Sequence, residues 1–180
     1  PEVLRALKSK VPVKVLYICP EIFNPEQHDF TGINVVNVSK DVFAKMAFGS
    51  RLKGILAICK PKVYQLSDIE CADAPSLVVV ANVEKPGNLG SVIRSCDGAG
   101  VDAVIMCDGK TDIYNQHVVR SSIGTIFSVK TVSASKEELF QFLSDHSIKI
   151  LAASARAKQM YTEYNFLHPV AIIVGNEHEG

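Results

Sequence analysis

With 180 residues, 47% of them hydrophobic, the chain can bury one large core or two small ones. No apolar run is long enough to span a bilayer, and no signal-peptide pattern opens the chain. The net charge of zero argues against bulk, non-specific nucleic-acid binding. The chain opens at Pro1 without a methionine and closes at Gly180 inside what reads as a loop, which suggests a piece of a longer polypeptide. Cys19, Cys59, Cys71, Cys96 and Cys107 are odd in number and scattered, with no CxxC pair. They fit small core residues of a reducing, cytoplasmic compartment better than a disulfide framework.

Charge is uneven along the chain. Residues 1–72 hold ten Lys/Arg against seven Asp/Glu, and residues 73–180 hold nine against twelve. Six cations fall between Lys40 and Lys62 with Asp41 as the single acid, so Lys53 and Lys60 are candidates for contact with RNA phosphates. A solvated helix-and-loop surface is the other reading of the same cations.

In chain order, residues 1–10 read as the end of a helix, VKVLYIC (13–19) as a strand and the polar run that follows as a connector. INVVNV (33–38) is a second strand, Ser39 caps a helix through Phe48, and GILAIC (54–59) is a third strand. The mixed-polarity run 62–76, with Pro75 near its end, is the expected boundary, giving domains 1–74 and 75–180. Leu77 to Val80 are apolar and β-branched, as in a strand covered on both faces. Asn82 to Gly90 form a loop, a helix follows from Leu89 to Ala99, and Arg94 is expected in its first or second turn. DAVIMC (102–107), TIFSVKTV (125–132), IKILAAS (148–154) and VAIIVG (170–175) are further strands. A helix over 113–124 and one opened by the Ser135/Glu138 capping box lie between them. The alternation predicts an α/β fold with a mostly parallel sheet, preceded by a small α/β module.

Three loops leave the carboxyl ends of these strands, at 82–90, 153–160 and 175–180, where open α/β sheets bind ligands. Glycines spaced GxxG at 87 and 90 are not a dinucleotide fingerprint, and no GKS or GKT follows to make a phosphate loop, which disfavours a nicotinamide-dependent dehydrogenase. GNEHEG (175–180) taken alone is a plain turn or a glycine-bracketed cradle for a nucleoside. His28, His117, His146, His168 and His178 show no metal-ligand spacing, so no metal is expected.

NVEKPGNLGSVIRSCDGAGVDAVI nevertheless resembles the first motif of the SpoU-type (TrmH-like) RNA 2′-O-ribose methyltransferases, with Asn88, Gly90 and Arg94 at its characteristic positions. YNQHVVRSSIGTIFSV resembles the segment that follows it, and IIVGNEHEG is similar to the second motif through Gly175, Glu177 and Gly180. The likeness runs over about residues 76–180, and residues 1–72 resemble part of a ribosomal-protein-L30e-like RNA-binding domain. It implies an α/β-knot fold, S-adenosylmethionine as methyl donor, RNA (ribosomal RNA favoured) as substrate, and a homodimer whose sites draw on both subunits. Under it Arg94 and Asn88 are catalytic, Ala153, Ser154, Gly175, Asn176, Glu177 and Gly180 hold the donor, and Arg120 joins Lys53 and Lys60 on the RNA. A guanidinium stays protonated, so Arg94 is expected to grip the phosphate and steady developing oxyanion charge, not to act as a free base.

Two departures stand out. The family's third motif is absent before Gly180, and His178 occupies a position where glycine is common. A chain truly ending at Gly180 is expected to bind the donor weakly or not at all. A non-catalytic RNA-binding or assembly protein on the same scaffold is the alternative function.

Overall fold

The computed structural model describes residues 1–49, 52–71 and 74–175. The chain divides into two compact units, Val3–Lys62 and Val63–Gly180. That division falls earlier than the expected one, because residues 64–70 have apolar side chains to bury and do so on the second unit. Tyr64 bridges Val132, Ile69 is buried, and Lys130 Nζ donates to Asp68 O and to the Glu70 carboxylate at 2.9 and 2.8 Å.

The first unit holds helix α1 (Glu2–Lys8), strand β1 (Val13–Ile18), strand β2 (Val35–Asn37), helix α2 (Lys40–Met46) and strand β3 (Ile55–Cys59). Its sheet has the order β2-β1-β3, with β1 parallel to β2 and antiparallel to β3. Strand β2 is shorter than INVVNV suggested and exposed throughout, an edge strand paired on one side only. Leu16, Ile18, Cys19 and Phe43 form its buried centre.

The second unit is a five-stranded sheet of β4 (Ser76–Ala81), β5 (Ala103–Cys107), β6 (Lys130–Ala134), β7 (Lys149–Ala152) and β8 (Val170–Val174). Its order is β6-β5-β4-β8-β7 and every pairing is parallel. Helices α3 (Pro86–Ala99), α4 (Gln116–Ser121) and α5 (Lys136–Asp145) complete it. Alternate residues of β4 and β5 feed two cores. Leu77, Val79, Ala103 and Ile105 meet Leu139, Phe142 and Leu143 of α5 on one face. Val80, Val104 and Met106 meet Leu89, Ile93 and Cys96 of α3 and Val118 of α4 on the other. Burying each such Leu, Ile or Phe contributes about 1.5–3 kcal/mol, so the apolar runs suffice to explain a sheet covered on both faces.

Several boundaries differ from expectation: α2 ends at Met46, not Phe48, and α4 spans Gln116–Ser121, not 113–124. Helix α3 starts three residues early, with Pro86 in its first turn, where the missing N–H costs nothing. Residues 125–127 form a 3₁₀ turn, and β6 begins only at Lys130. Gly124 enters that turn at φ 80° and Thr125 O accepts from Val129 N at 2.9 Å, so β-branched residues are held in a tight turn by local bonds. The capping box of α5 forms as the sequence indicates, with Ser135 N donating to the Glu138 carboxylate at 2.8 Å and Glu138 N donating to Ser135 Oγ at 3.2 Å. Among the described residues no helix is long and apolar enough to cross a membrane.

Candidate active site

Strand order creates the site. The chain leaves β4 toward β5 on one side, while β8 and β7 fill the other, so the connections diverge at the carboxyl end of β4. Such switch points are where open parallel sheets bind ligands. Val80 pairs with Val174, and Ala152 with Ile173. Adjacent strands lie about 4.8 Å apart, so the segments after Ala81, Ala152 and Val174 emerge side by side. Ala153 and Ser154 are exposed there and Gly175 is half-buried. Ala153 N donates to Ile173 O at 2.9 Å, and Ser154 Oγ accepts from Arg156 N at 3.2 Å, tying the β7 exit to β8 and to its own turn. Asn176, Glu177 and Gly180 lie outside the described residues.

The α3 end of the site is built differently from the sequence-based expectation. The connector after β4 is only residues 82–85, entered through Asn82 at φ 53°, a left-handed position that asparagine tolerates. Asn88 is therefore a half-buried first-turn helix residue, whose N–H donates to Lys85 O at 3.0 Å. Arg94 is in the third turn, not the first or second. Eight residues beyond Pro86 at 1.5 Å each put it about 12 Å along the helix from the connector. It is exposed, and among the described residues it makes no hydrogen bond or ion pair.

The two glycines of the GxxG spacing separate in role. A Cβ on buried Gly90 would lie 2.6 Å from Val118 O and 2.9 Å from Ser122 N and would strike Ser121 Oγ. Gly90 is thus the point at which α3 and the end of α4 touch backbone to backbone. Gly87 has nothing within 4 Å of such an atom, so no close approach requires it.

One residue had no signal in the sequence. Thr111 Oγ1 donates to Glu84 O at 2.9 Å, clamping the connector after β4 to the segment after β5. That segment is itself fixed: Asn82 N donates to Cys107 O at 3.2 Å, and Asp108 Oδ1 accepts from Lys136 N at 3.3 Å. Next along the chain, Asn115 Oδ1 caps α4 by accepting from His117 N at 2.9 Å, and the rings of Tyr114 and Phe127 stack with centroids 6.3 Å apart. Neither thiol near this site is poised for attack: burial pushes Cys96 up to about 11 and raises Cys107 as well, with nearby Asp108 and Glu137 adding to the latter. Among the described residues no three His, Cys, Asp or Glu are grouped so as to hold a metal ion.

The two RNA candidates of the first unit lie apart from each other. Arg120 is half-buried in α4 of the second unit. Lys53 and Lys60 flank β3 in the first unit at opposite ends, roughly 20 Å apart at strand rise.

Residues 75–180 match the model of the SpoU rRNA Methylase family. The 23S rRNA (guanosine(2553)-2′-O)-methyltransferase RlmP of Bacillus subtilis is 30% identical over 175 residues, covering 97% of this chain and 68% of that protein. The 23S rRNA (guanosine-2′-O-)-methyltransferase RlmB of Pectobacterium atrosepticum is 27% identical over 155 residues, 83% of this chain and 64% of its own. The chain thus spans about two thirds of the curated relatives' length. A crystal structure of an RNA 2′-O ribose methyltransferase superposes with TM-score 0.85 at 32% identity, over 99% of this chain and 70% of that one. The AdoMet-bound rRNA methyltransferase of Sinorhizobium meliloti shares the fold, with TM-score 0.85 at 24% identity over 99% of this chain and 69% of its own. A parallel sheet with its switch point at β4 and β8, a GxxG helix packed through Gly90 and a family match beginning at the foot of β4 agree: the chain belongs to the SpoU rRNA methylase family, the S-adenosylmethionine-dependent RNA 2′-O-ribose methyltransferases.

Proposed function

We propose that the protein carrying this chain methylates the ribose 2′-hydroxyl of a guanosine in 23S ribosomal RNA, in the cytoplasm and as a homodimer. The observation that carries the proposal is the side-by-side exit of β4, β8 and β7 within the matched segment. Ala153, Ser154 and Gly175 put little side-chain bulk at these strand ends, room for a nucleoside to approach the backbone. Those three residues, with Asn176, Glu177 and Gly180, would hold S-adenosylmethionine, which when bound supplies a methyl group on a positively charged sulfur.

The chain's own groups position the acceptor. Arg94 grips the phosphate beside the target ribose, aligns its 2′-hydroxyl and stabilises the negative charge that grows on that oxygen as its proton passes to solvent water. Asn88, in the first turn of the same helix, fixes the ribose. Exposure of Arg94 and its distance from the connector after β4 support a site completed across a dimer, the Arg94 of one subunit serving the strand ends of its partner. The α/β knot and the L30e-like character of residues 1–74 belong to the same proposal, with Lys53, Lys60 and Arg120 as RNA contacts.

Mass spectrometry of ribosomal RNA from cells with and without the full-length gene tests the function. Loss of one 2′-O-methylguanosine from 23S RNA is expected. An unchanged methylation pattern overturns the assignment.

A further inference from the structure

The connector between β1 and β2 carries three rings that the methyl-transfer site does not use. Phe23 and His28 stack with centroids 5.3 Å apart and planes 12° from parallel. Phe30 stands 6.5 Å from Phe23 and 5.9 Å from His28. His28 is exposed and both phenylalanines are half-buried. A ring lying flat on one neighbour in an exposed residue offers its other face to solvent.

The loop that carries the rings is held by its own hydrogen bonds. Ile22 N and Phe23 N both donate to Cys19 O at 3.0 Å, and His28 N donates to Pro25 O at 3.1 Å. Asn24 Oδ1 accepts from Glu26 N at 3.0 Å, which caps the 3₁₀ turn Pro25–Gln27. Asp29 accepts from Thr31 N and Thr31 Oγ1 at 2.9 and 2.6 Å, and Ile33 N donates to Phe30 O at 3.0 Å. Gly54 presses against the base of the loop, where a Cβ would lie 2.8 Å from Phe23 Cβ and 2.9 Å from Phe23 N. Little backbone entropy of the loop is left for a ligand to remove.

Positive charge reaches the same end of the sheet. Ile18 pairs with both Asn37 and Ile55, so the end of β1, the end of β2 and the start of β3 coincide. Lys40 opens α2 just past β2, its N–H 3.4 Å from Glu21 Oε1, and Lys53 directly precedes Gly54. Glu21, Glu26 and Asp29 line the ring-bearing loop itself, which disfavours a phosphate beside the rings and favours a neutral flat group.

We propose that Phe23, His28 and Phe30 form a stacking platform for an unpaired nucleobase of the RNA substrate, with Lys40 and Lys53 meeting the phosphates on either side. This rests on the reading of the protein as an RNA methyltransferase and assigns its first unit a base-level contact. Sequence-specific RNA recognition targets unstacked bases in loops and bulges, and aromatic faces accept them.

The test titrates the full-length protein into a short single-stranded RNA carrying 2-aminopurine, whose fluorescence falls when it stacks. Methyl transfer to 23S RNA from radiolabelled donor is measured on the same samples. Quenching by the wild type is expected. His28→Ala and Phe30→Leu, with melting temperatures unchanged, weaken binding about tenfold and remove the quenching. His28→Trp retains both. Lys53→Ala lowers affinity and flattens its salt dependence, while bound RNA stays quenched. Full affinity and quenching in both ring variants, or methyl transfer by a wild type that never quenches, overturns the platform and leaves the enzyme assignment standing. A wild type that neither binds nor methylates RNA overturns the enzyme assignment and the platform with it.

Discussion

The hydroxyl of Thr111 donates to the main-chain carbonyl of Glu84 at 2.9 Å, so the segment after β5 clamps the connector that leads from β4 into α3. The bond is exposed, and its net worth to stability is about 1 kcal/mol. Its larger effect is on placement, because the connector sets where α3 and its Asn88 begin. Thr111→Val keeps the shape and removes the donor. Expected are a melting temperature lower by about 2–4 °C and a fall in kcat of about tenfold or more. Thr111→Ser restores both. Steady-state kinetics of methyl transfer beside thermal melts of the three proteins checks this, and a Thr111→Val enzyme with unaltered kcat overturns it.

Gly90 and Gly98 lie in one helix and should respond oppositely to alanine. In a helix interior the change alone gains up to about 1 kcal/mol. At Gly98, next to last in α3, nothing lies within 4 Å of an added Cβ, so Gly98→Ala should stabilise by a part of that amount. At Gly90 the new atom meets Val118 O and Ser122 N, backbone that moves only if α3 and α4 part. Such overpacking costs about 1–3 kcal/mol, enough to cancel the gain and reverse its sign. Urea denaturation of the second unit's transition in both variants decides the matter. A stabilised Gly90→Ala would show the helices to be less tightly joined than described.

The Ser135–Glu138 capping box predicts an acid limb. Hydrogen bonds from the Ser135 N–H and hydroxyl hold the Glu138 carboxyl below its ordinary value of 4.5. A depressed folded value means that the stabilisation is complete above the unfolded pKa and is lost as pH falls through the folded one. Glu70, lowered by Lys130, and Asp29, lowered by Thr31, act in the same direction. Glu138→Gln can still accept the Ser135 N–H but does not titrate. Wild type should therefore melt higher than Glu138→Gln near neutrality, and the two curves should converge as pH falls through the depressed Glu138 value. Parallel curves over the whole range would remove Glu138 from the acid response.

What could be read in the sequence was local or strongly apolar. The Ser135/Glu138 box needs only four consecutive residues, and Leu77 to Val80 could hardly be anything but an inner strand. The start of α3 was hidden because Pro86, Gly87, Asn88 and Gly90 are turn-forming residues, and what makes them helical is tertiary: Gly90 against Ser121 and Ser122. Thr125 to Phe127 failed in the opposite way, their strand-forming side chains overruled by the left-handed entry at Gly124. The neighbours of β4 were out of reach in principle, since no local pattern tells Val174 that it will pair with Val80. The expected strand ends pointed to three loops; the strand order is what sets the exits of β4, β8 and β7 side by side.

Arg94 gives the most discriminating prediction. It stands exposed in the third turn of α3, about 12 Å from the connector after β4, whereas Gly175 emerges beside that connector. If each site takes its arginine from the other subunit, Arg94→Ala abolishes methyl transfer while leaving donor binding and the melting temperature near wild type. A partner variant such as Glu177→Ala should abolish transfer by spoiling the donor loop. Mixed and re-annealed, the two inactive proteins form heterodimers in which one site has both an intact arginine and an intact donor loop, so activity returns. If arginine and loop act within one subunit, each heterodimer site carries one lesion and the mixture stays inactive. Arg94→Lys adds a second measure. It keeps the charge but loses the paired N–H fork that, on the proposed role, would hold phosphate and hydroxyl together, so it should recover RNA affinity without recovering kcat. Activity of Arg94→Ala at the wild-type level would remove this side chain from the chemistry altogether.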